Sequence, residues 1–304
     1  MQLKFKSLPQ LLNHFKDEKT CTDYLASMRW DGNVCCPHCG NDKVYTTDRG
    51  YKCADKTCHK KFSVTVGTVF EGSKIKLSLW FAAVYLATAH KKGISSLQLS
   101  RDLGVTQKTA WFMLHRIREM LNINAPELLS GTTQVDETFI GGKNKNRHSD
   151  KKVENSQGRS VKDKTPVFGM LNNGQVQTEV VKDTKASTLK PIIYSMVQKG
   201  SIVVSDEWNA YNGLNKDFKH EVLKHNENEF VKGGFHTNSI EGFWSLLKRG
   251  IFGIYHSVSP KHLDRYCDEF SYRYNTRTIA DTDRFSESLK QVEGKLTYKM
   301  LIQK

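Results

Sequence analysis

The chain has 304 residues, about twice a common domain length, with 38% hydrophobic and 10% aromatic residues, so two or three folding units with real cores are expected. Lys and Arg number 46 against 32 Asp and Glu, and the net charge of +14 favours a polyanionic partner through counterion release. No apolar run approaches the roughly 20 residues of a membrane span, and MQLKFKSLPQLLNHF has neither an unbroken apolar core nor a small-residue cleavage site. Membrane insertion and secretion are therefore not expected. In the reducing, cytoplasmic location that follows, the 7 cysteines serve as metal ligands or buried thiols rather than as a disulfide framework.

Residues from about 8 to 30 show a helical stripe of Leu11, Leu12, Phe15, Cys21, Tyr24, Leu25 and Met28, which makes Cys21 a core residue. Next comes CCPHCGNDKVYTTDRGYKCADKTCHKKF. Cys36 and Cys39 flank a two-residue gap shaped by Pro37 and Gly40, Cys53 and Cys58 flank a gap of four, and two short strands run between the pairs. Four thiolates on two knuckles suit one tetrahedral Zn²⁺, whose binding would supply much of the folding energy of so small a module. Cys35 is either a bystander that points away or a competing ligand, and His38 and His59 are expected beside the site rather than in it. A four-sulfur site has no open position for water, so this zinc is structural or supports DNA contact.

LSLWFAAVYLATAHKKG reads as a buried helix stopped near Gly93. Two shorter helices follow, Ser96 to Leu103 and a second capped by Thr106, joined across Gly104 in a helix-turn-helix pattern. Its second helix would enter a major groove with Gln107, Lys108 and Thr109 at the base edges, and with Arg116 and Arg118 as phosphate contacts or plain surface. Pro126 and Gly131 mark NINAPELLSG as a linker.

The second half begins with TTQVDETFIGGK, a strand carrying Asp136, and continues through a polar, basic stretch from Lys143 to Lys164 that is too charged to pack. TPVFGML and QVQTEVV read as further strands around an Asn173–Gly174 hairpin turn. A helix starts near Ser187, and Ile202 to Val204 form a buried strand ending in Asp206. Read as a helix, HTNSIEGFWSLLKRG places Asn238, Glu241, Ser245 and Lys248 on one face, and Ile240, Phe243, Trp244 and Leu247 in a core. Asp136 and Asp206 are about 70 residues apart, with Glu241 about 35 beyond, and strand-end acids of this kind can be gathered on one sheet. Neighbouring acids alternate across a strand, so Asp136 and Glu137 face opposite ways. Asp136, Asp206 and Glu241 are candidate ligands of Mg²⁺, which prefers few carboxylates plus water and phosphate oxygens. Lys248 would hold a phosphate as a point charge. SPKHLDRYCDEFSYRYNTRT is a helix with Cys267 in its core, its arginines add to the basic excess, and the tail from Thr278 packs as a short terminal helix.

CPHCG with its C-x4-C partner, FSVTVGTVFEGSKI, VDETFIGGK, SDEWNAY and HTNSIEGFWSLLKRG occur in this order over nearly the whole chain. In this the sequence resembles bacterial insertion-sequence transposases of the DDE type with an N-terminal zinc ribbon, the ISXO-like group. The resemblance implies an α/β, ribonuclease-H-like mixed sheet flanked by helices. A zinc ribbon and a helix-turn-helix-like region would precede it, and Mg²⁺ or Mn²⁺ would serve DNA strand cleavage and transfer at inverted repeats. Carried over, the first two carboxylates are Asp136 and Asp206 and the lysine is Lys248. The third ligand is Glu241 or Asn238, with Glu241 the stronger metal ligand. The expected divisions are a helical segment over 1–33, the ribbon over 34–72, the DNA-binding helices over 73–125, the catalytic domain over 130–280 and a helical tail over 281–304. The partners expected are transposon ends and target DNA, handled by a dimer or larger assembly. A DNA-binding regulator with an inactive core, and a nuclease that does not join strands, are the competing readings.

Overall fold

The computed structural model describes residues 5–122, 128–142, 148–154, 156, 160–224, 227 and 231–303. Parts of the expected linker (123–127) and of the basic stretch (143–147, 155, 157–159) lie outside them. The chain divides into two units, residues 1–122 with 276–304, and residues 123–275.

In the first unit, α1 (Leu8–His14) and α2 (Glu18–Trp30) replace the single helix expected over 8–30. The helical stripe continues across the break, but Asp17 accepts the Thr20 amide at 2.8 Å and starts a new helix there. Phe15, at the break, is fully buried against Phe5, Tyr24, Phe81 and Phe285. Strands β1 (Val44–Thr47), β2 (Gly50–Cys53) and the short β3 (Lys61–Phe62) form an antiparallel ribbon. The helix α3 (Leu77–Ala89) is apolar all round and buried accordingly. α4 (Ser96–Leu103) ends at Gly104, whose φ of 66° is the left-handed cap a helix of this kind uses. Thr106 then caps α5 (Gln107–Met120).

In the second unit, β4 (Thr132–Ile140), β5 (Thr165–Asn172) and β6 (Gln175–Val180) form an antiparallel meander. It turns at Asn173–Gly174, where both residues have positive φ. Then come α6 (Ala186–Met196), β7 (Ile202–Asp206) and β8 (Lys219–Leu223), with β7 parallel to both β4 and β8. The sheet order β6-β5-β4-β7-β8, with its first three strands antiparallel and the rest parallel, is the ribonuclease-H-like arrangement. β8 was not expected from the sequence. One sheet face carries α6 on a core of Val135, Phe168, Met170, Leu189, Ile193 and Val203. The other carries α7 (Asn238–Gly250), a π-helical turn (Ile251–Tyr255) and α8 (Leu263–Asn275) on Ile140, Val167, Leu171, Phe243, Leu247 and Phe270.

The chain then returns to the first unit with α9 (Asp281–Lys290) and α10 (Tyr298–Ile302). Phe285 of α9 enters the aromatic cluster around Phe15, and the Val69 amide donates to the Val292 carbonyl at 2.9 Å. Among the described residues, no helix is long and apolar enough to cross a membrane.

Candidate active site

β4 is the central strand. It stays paired to β5 through Ile140, but its parallel pairing to β7 ends at Gln134–Val204. Asp136 and Asp206 each lie two residues beyond that last pair, Gln134 and Val204, where the two strands are no longer paired. A crevice beyond the carboxyl ends of parallel strands is where open α/β sheets bind ligands. Side chains alternate along β4, so Gln134 and Asp136 face α7, while Val135 and Glu137 face α6. Glu137 is 8% exposed and accepts a 2.5 Å hydrogen bond from the buried Tyr211 hydroxyl. That bond makes it part of the α6-side core rather than of the crevice.

α7 is tied to β4 at two points. The Ile240 amide donates to Gln134 Oε1 at 3.2 Å, and Trp244 Nε1–H donates to Asp136 Oδ2 at 3.0 Å. Thr237, Glu241, Trp244 and Lys248 follow one another at helical spacing, so they share the edge of α7 that meets Asp136. Glu241 Oε1 accepts the Thr237 hydroxyl at 2.7 Å, and Asp206 Oδ1 accepts the Trp208 amide at 3.0 Å. Asn238 is exposed at the first turn, further around the helix. His236 Nδ1 lies 3.5 Å from Gln134 Nε2.

The electrostatics mark Asp136 out. Burial, then the charges of Glu137, Asp206 and Glu241, push its carboxyl up to about 7. Burial lowers the Lys248 ammonium below its ordinary value; the Asp136 charge opposes that shift and Lys164 adds to it. A buried acid repelled by three carboxylates is the environment a divalent cation neutralises, and oxygen donors are what Mg²⁺ and Mn²⁺ take. The acids do not close onto one point as the ribbon sulfurs do (below).

The shift of Asp136 has a consequence for stability. The folded chain keeps this proton to about pH 7, whereas an unfolded aspartate releases it near roughly pH 4. Between those values the native state binds more protons than the unfolded one, so stability falls as pH rises through the window. The ceiling is about 4 kcal/mol for a shift of this size, and partial solvent access reduces it to ~2 kcal/mol. Asp136→Asn should therefore stabilise the magnesium-free protein by about that amount at pH 8 and hardly at all at pH 4. Urea unfolding at the two pH values measures it; an equal difference at both would show that the crevice carries no such repulsion.

In the ribbon, the sulfurs of Cys36, Cys39, Cys53 and Cys58 lie within 4.8 Å of one another. Cys36–Cys58 and Cys39–Cys53 are 3.9 and 3.6 Å apart. A tetrahedron of 2.3 Å zinc–sulfur bonds has edges of about 3.8 Å, so the set fits zinc. Burial raises the Cys36 thiol, but the backbone amides of His38 and Cys39 together with the Cys39 and Cys53 sulfurs hold it below its ordinary value. Cys35, His38 and His59 are not in the set. It is the one group of three or more gathered His, Cys, Asp or Glu ligands among the described residues, so Asp136, Asp206 and Glu241 do not form a second.

At the start of α5, Gln107 and Lys108 are exposed. Gln107 Nε2 donates to Ser96 Oγ at 3.0 Å, Lys108 Nζ lies 4.8 Å from the Tyr298 ring centre, and the Thr109 amide donates to Thr106 at 3.2 Å. Arg116 and Arg118, expected at the surface, are instead 4% and 1% exposed. Arg116 donates to the Glu71 carbonyl and lies over Trp80 and Phe112, whose ring faces accommodate a buried guanidinium. Arg273, one of the arginines that add to the basic excess, is buried in an ion pair with Glu269.

Residues 128–275 match the ISXO2-like transposase domain, and residues 16–61 match the transposase zinc-ribbon domain. An uncharacterized protein in transposable element ISH50 of Halobacterium salinarum is 30% identical over 274 residues, covering 85% of this chain and 91% of that one. The chain belongs to the ISXO2-like transposase family. An uncharacterized transposase-like protein of Haemophilus influenzae is 30% identical over 106 residues, 34% of this chain and 85% of its own. Among solved structures, the Mos1 transposase paired-end complex with left transposon end covers 70% of this transposase and 79% of its own chain, at 15% identity and a TM-score of 0.26. The assignment rests on the domain matches and the ISH50 relative.

Sequence reasoning missed Gln134, Trp244 and Gly169 as parts of this site. Gln134 was detectable as a polar residue two positions before Asp136, hence on the same strand face. Trp244 and Gly169 gave no signal, because their meeting depends on the register of β5 against β4.

Proposed function

We propose that this transposase binds the terminal inverted repeats of an insertion sequence and catalyses divalent-metal-dependent strand cleavage and strand transfer. The observation that supports this reading is that the charges of Asp206, at the end of β7, and of Glu241, on α7, both bear on the buried Asp136 just past the point where β4 and β7 stop pairing. Asp136, Asp206 and Glu241 would hold Mg²⁺ or Mn²⁺. When bound, the cations would activate the attacking hydroxyl and stabilise the leaving oxygen of the phosphodiester. Lys248, on the same helix edge as Glu241, holds a phosphate oxygen. Asn238 contacts substrate from the first turn of α7. Gln107, Lys108 and Thr109 read the end sequence in a major groove, which requires Gln107 and Lys108 to leave Ser96 and Tyr298. The net charge of +14 supplies the non-specific part of the affinity. Bringing two ends together calls for at least two copies of the chain.

A pre-cut duplex of the element's end, a supercoiled target plasmid and Mg²⁺ test the reading together. Covalently joined product is the expected result. Cleavage without joining would make the chain a nuclease, and binding with neither product would make it a regulator.

A further inference from the structure

We propose that Trp244 is a positioning residue that orients the Asp136 carboxylate toward the bound cation, and that Gly169 is the notch in the sheet that lets it do so. The inference rests on the role just given to Asp136. Trp244 is 4% exposed in the core between α7 and the sheet. An indole N–H is a donor only, and buried it requires an acceptor. Here the acceptor is Asp136 Oδ2, at 3.0 Å. One carboxylate oxygen is thereby fixed by a neutral side-chain donor, beside a backbone hydrogen bond from Glu137 to the same carboxylate. A bond of this kind sets ligand orientation in metal sites, and its loss typically weakens metal binding by about 10–100-fold.

Gly169 is the residue of β5 directly opposite Asp136. A Cβ added there would stand 2.5 Å from Trp244 Cζ2 and 2.6 Å from Cη2, with Ile240 Cδ1 at 3.3 Å. An indole is rigid and cannot bend a ring atom away, so any side chain at 169 displaces it. Gly169 lies within a regular strand, so its use here is its missing side chain rather than conformational freedom. The neighbours of Asp136 thus interlock: a gap on β5 receives the ring, and the ring presents its N–H to β4. Phe243, next to Trp244 on α7, packs in the same core but has no donor to offer.

The test measures Mn²⁺ binding to full-length, zinc-loaded protein by calorimetry, beside cleavage of an end duplex as a function of Mn²⁺ concentration. Trp244→Phe removes the donor and keeps most of the ring. Gly169→Ala keeps the donor and moves it. Both should raise the dissociation constant and the half-saturating Mn²⁺ by about tenfold or more, with much of the cleavage rate restored at saturating Mn²⁺. Phe243→Leu, a packing change of the same core, should lower the melting temperature and leave Mn²⁺ affinity alone. If Trp244→Phe does not fold, the Gly169→Ala isotherm decides. Wild-type affinity in the folded variants, or an equal loss in Phe243→Leu, overturns the inference. Asp136→Ala separates the two levels. Unchanged Mn²⁺ binding there removes the ligand role itself, whereas loss there with none at Trp244→Phe removes only the positioning role.

Discussion

Asp136→Ala is expected to lower strand cleavage at a transposon end by about a thousandfold or more, the several kcal/mol of transition-state stabilisation that cation chemistry contributes, while end binding is unchanged. Asp206→Ala should match it, because in the proposed reaction the two aspartates hold the same cations. Their losses should not multiply in the double variant, since residues acting as a unit are not additive. On α7, Glu241 lies three positions from Trp244 and Asn238 six, so at 3.6 residues per turn they sit about 60° and 120° around from the indole. That geometry, and the charge Glu241 exerts on Asp136, favour Glu241 as the third ligand. Glu241→Gln should therefore approach the aspartate variants, while Asn238→Ala should chiefly weaken substrate binding. The check is a gel assay of nicked and cleaved ends beside a binding titration on the same duplex. Full cleavage by purified Asp136→Ala protein would remove this crevice from the chemistry; the opposite order of effects at 238 and 241 would transfer the third role to the amide.

What was legible in the sequence follows from which physical signals are local. Val135, Phe139 and Ile140 flank Asp136, Ile202 to Val204 precede Asp206, and Asn173–Gly174 can take the positive φ a tight hairpin needs, so β4 to β7 could be read directly. β8, KHEVL, escaped because it is an edge strand with a lysine, a histidine and a glutamate, and only Leu223 is buried. The cysteine spacing translated into geometry because four ligands around one ion leave little freedom. Arg116 and Arg118 were misread because residue type favours exposure, and for Arg116 burial depends on the ring of Trp80 on α3 joining that of Phe112 one turn back on its own helix. Helical periodicity places Trp244 in a core whether or not its N–H has a task. What the N–H reaches is decided by Gly169 lying opposite Asp136, a pairing set when β5 docks on β4.

Removing zinc is expected to unfold the ribbon locally. Structural zinc contributes apparent free energies of about 10–16 kcal/mol in small modules, and this one has little else to hold it. Its own strands contribute only Cys53 and Phe62 as buried apolar positions; Tyr51 stacks on Phe62, and both rings lean on Trp30 of α2. Those contacts anchor one end of the hairpin, while the Cys36–Cys39 knuckle depends on the ion. Cys53→Ser should therefore release the metal and open residues 34–62 to protease, with the 123–275 unit still resistant. Cys35→Ser should leave zinc content at one per chain, since its sulfur is outside the set. Metal analysis and limited proteolysis read both. Stoichiometric zinc and an intact ribbon in Cys53→Ser would mean that the sulfurs, though spaced for a tetrahedron, are not what binds the ion. If instead the ribbon opens and end binding falls with it while the catalytic unit stays folded, the ribbon contributes to holding DNA as well as to the stability of its own unit.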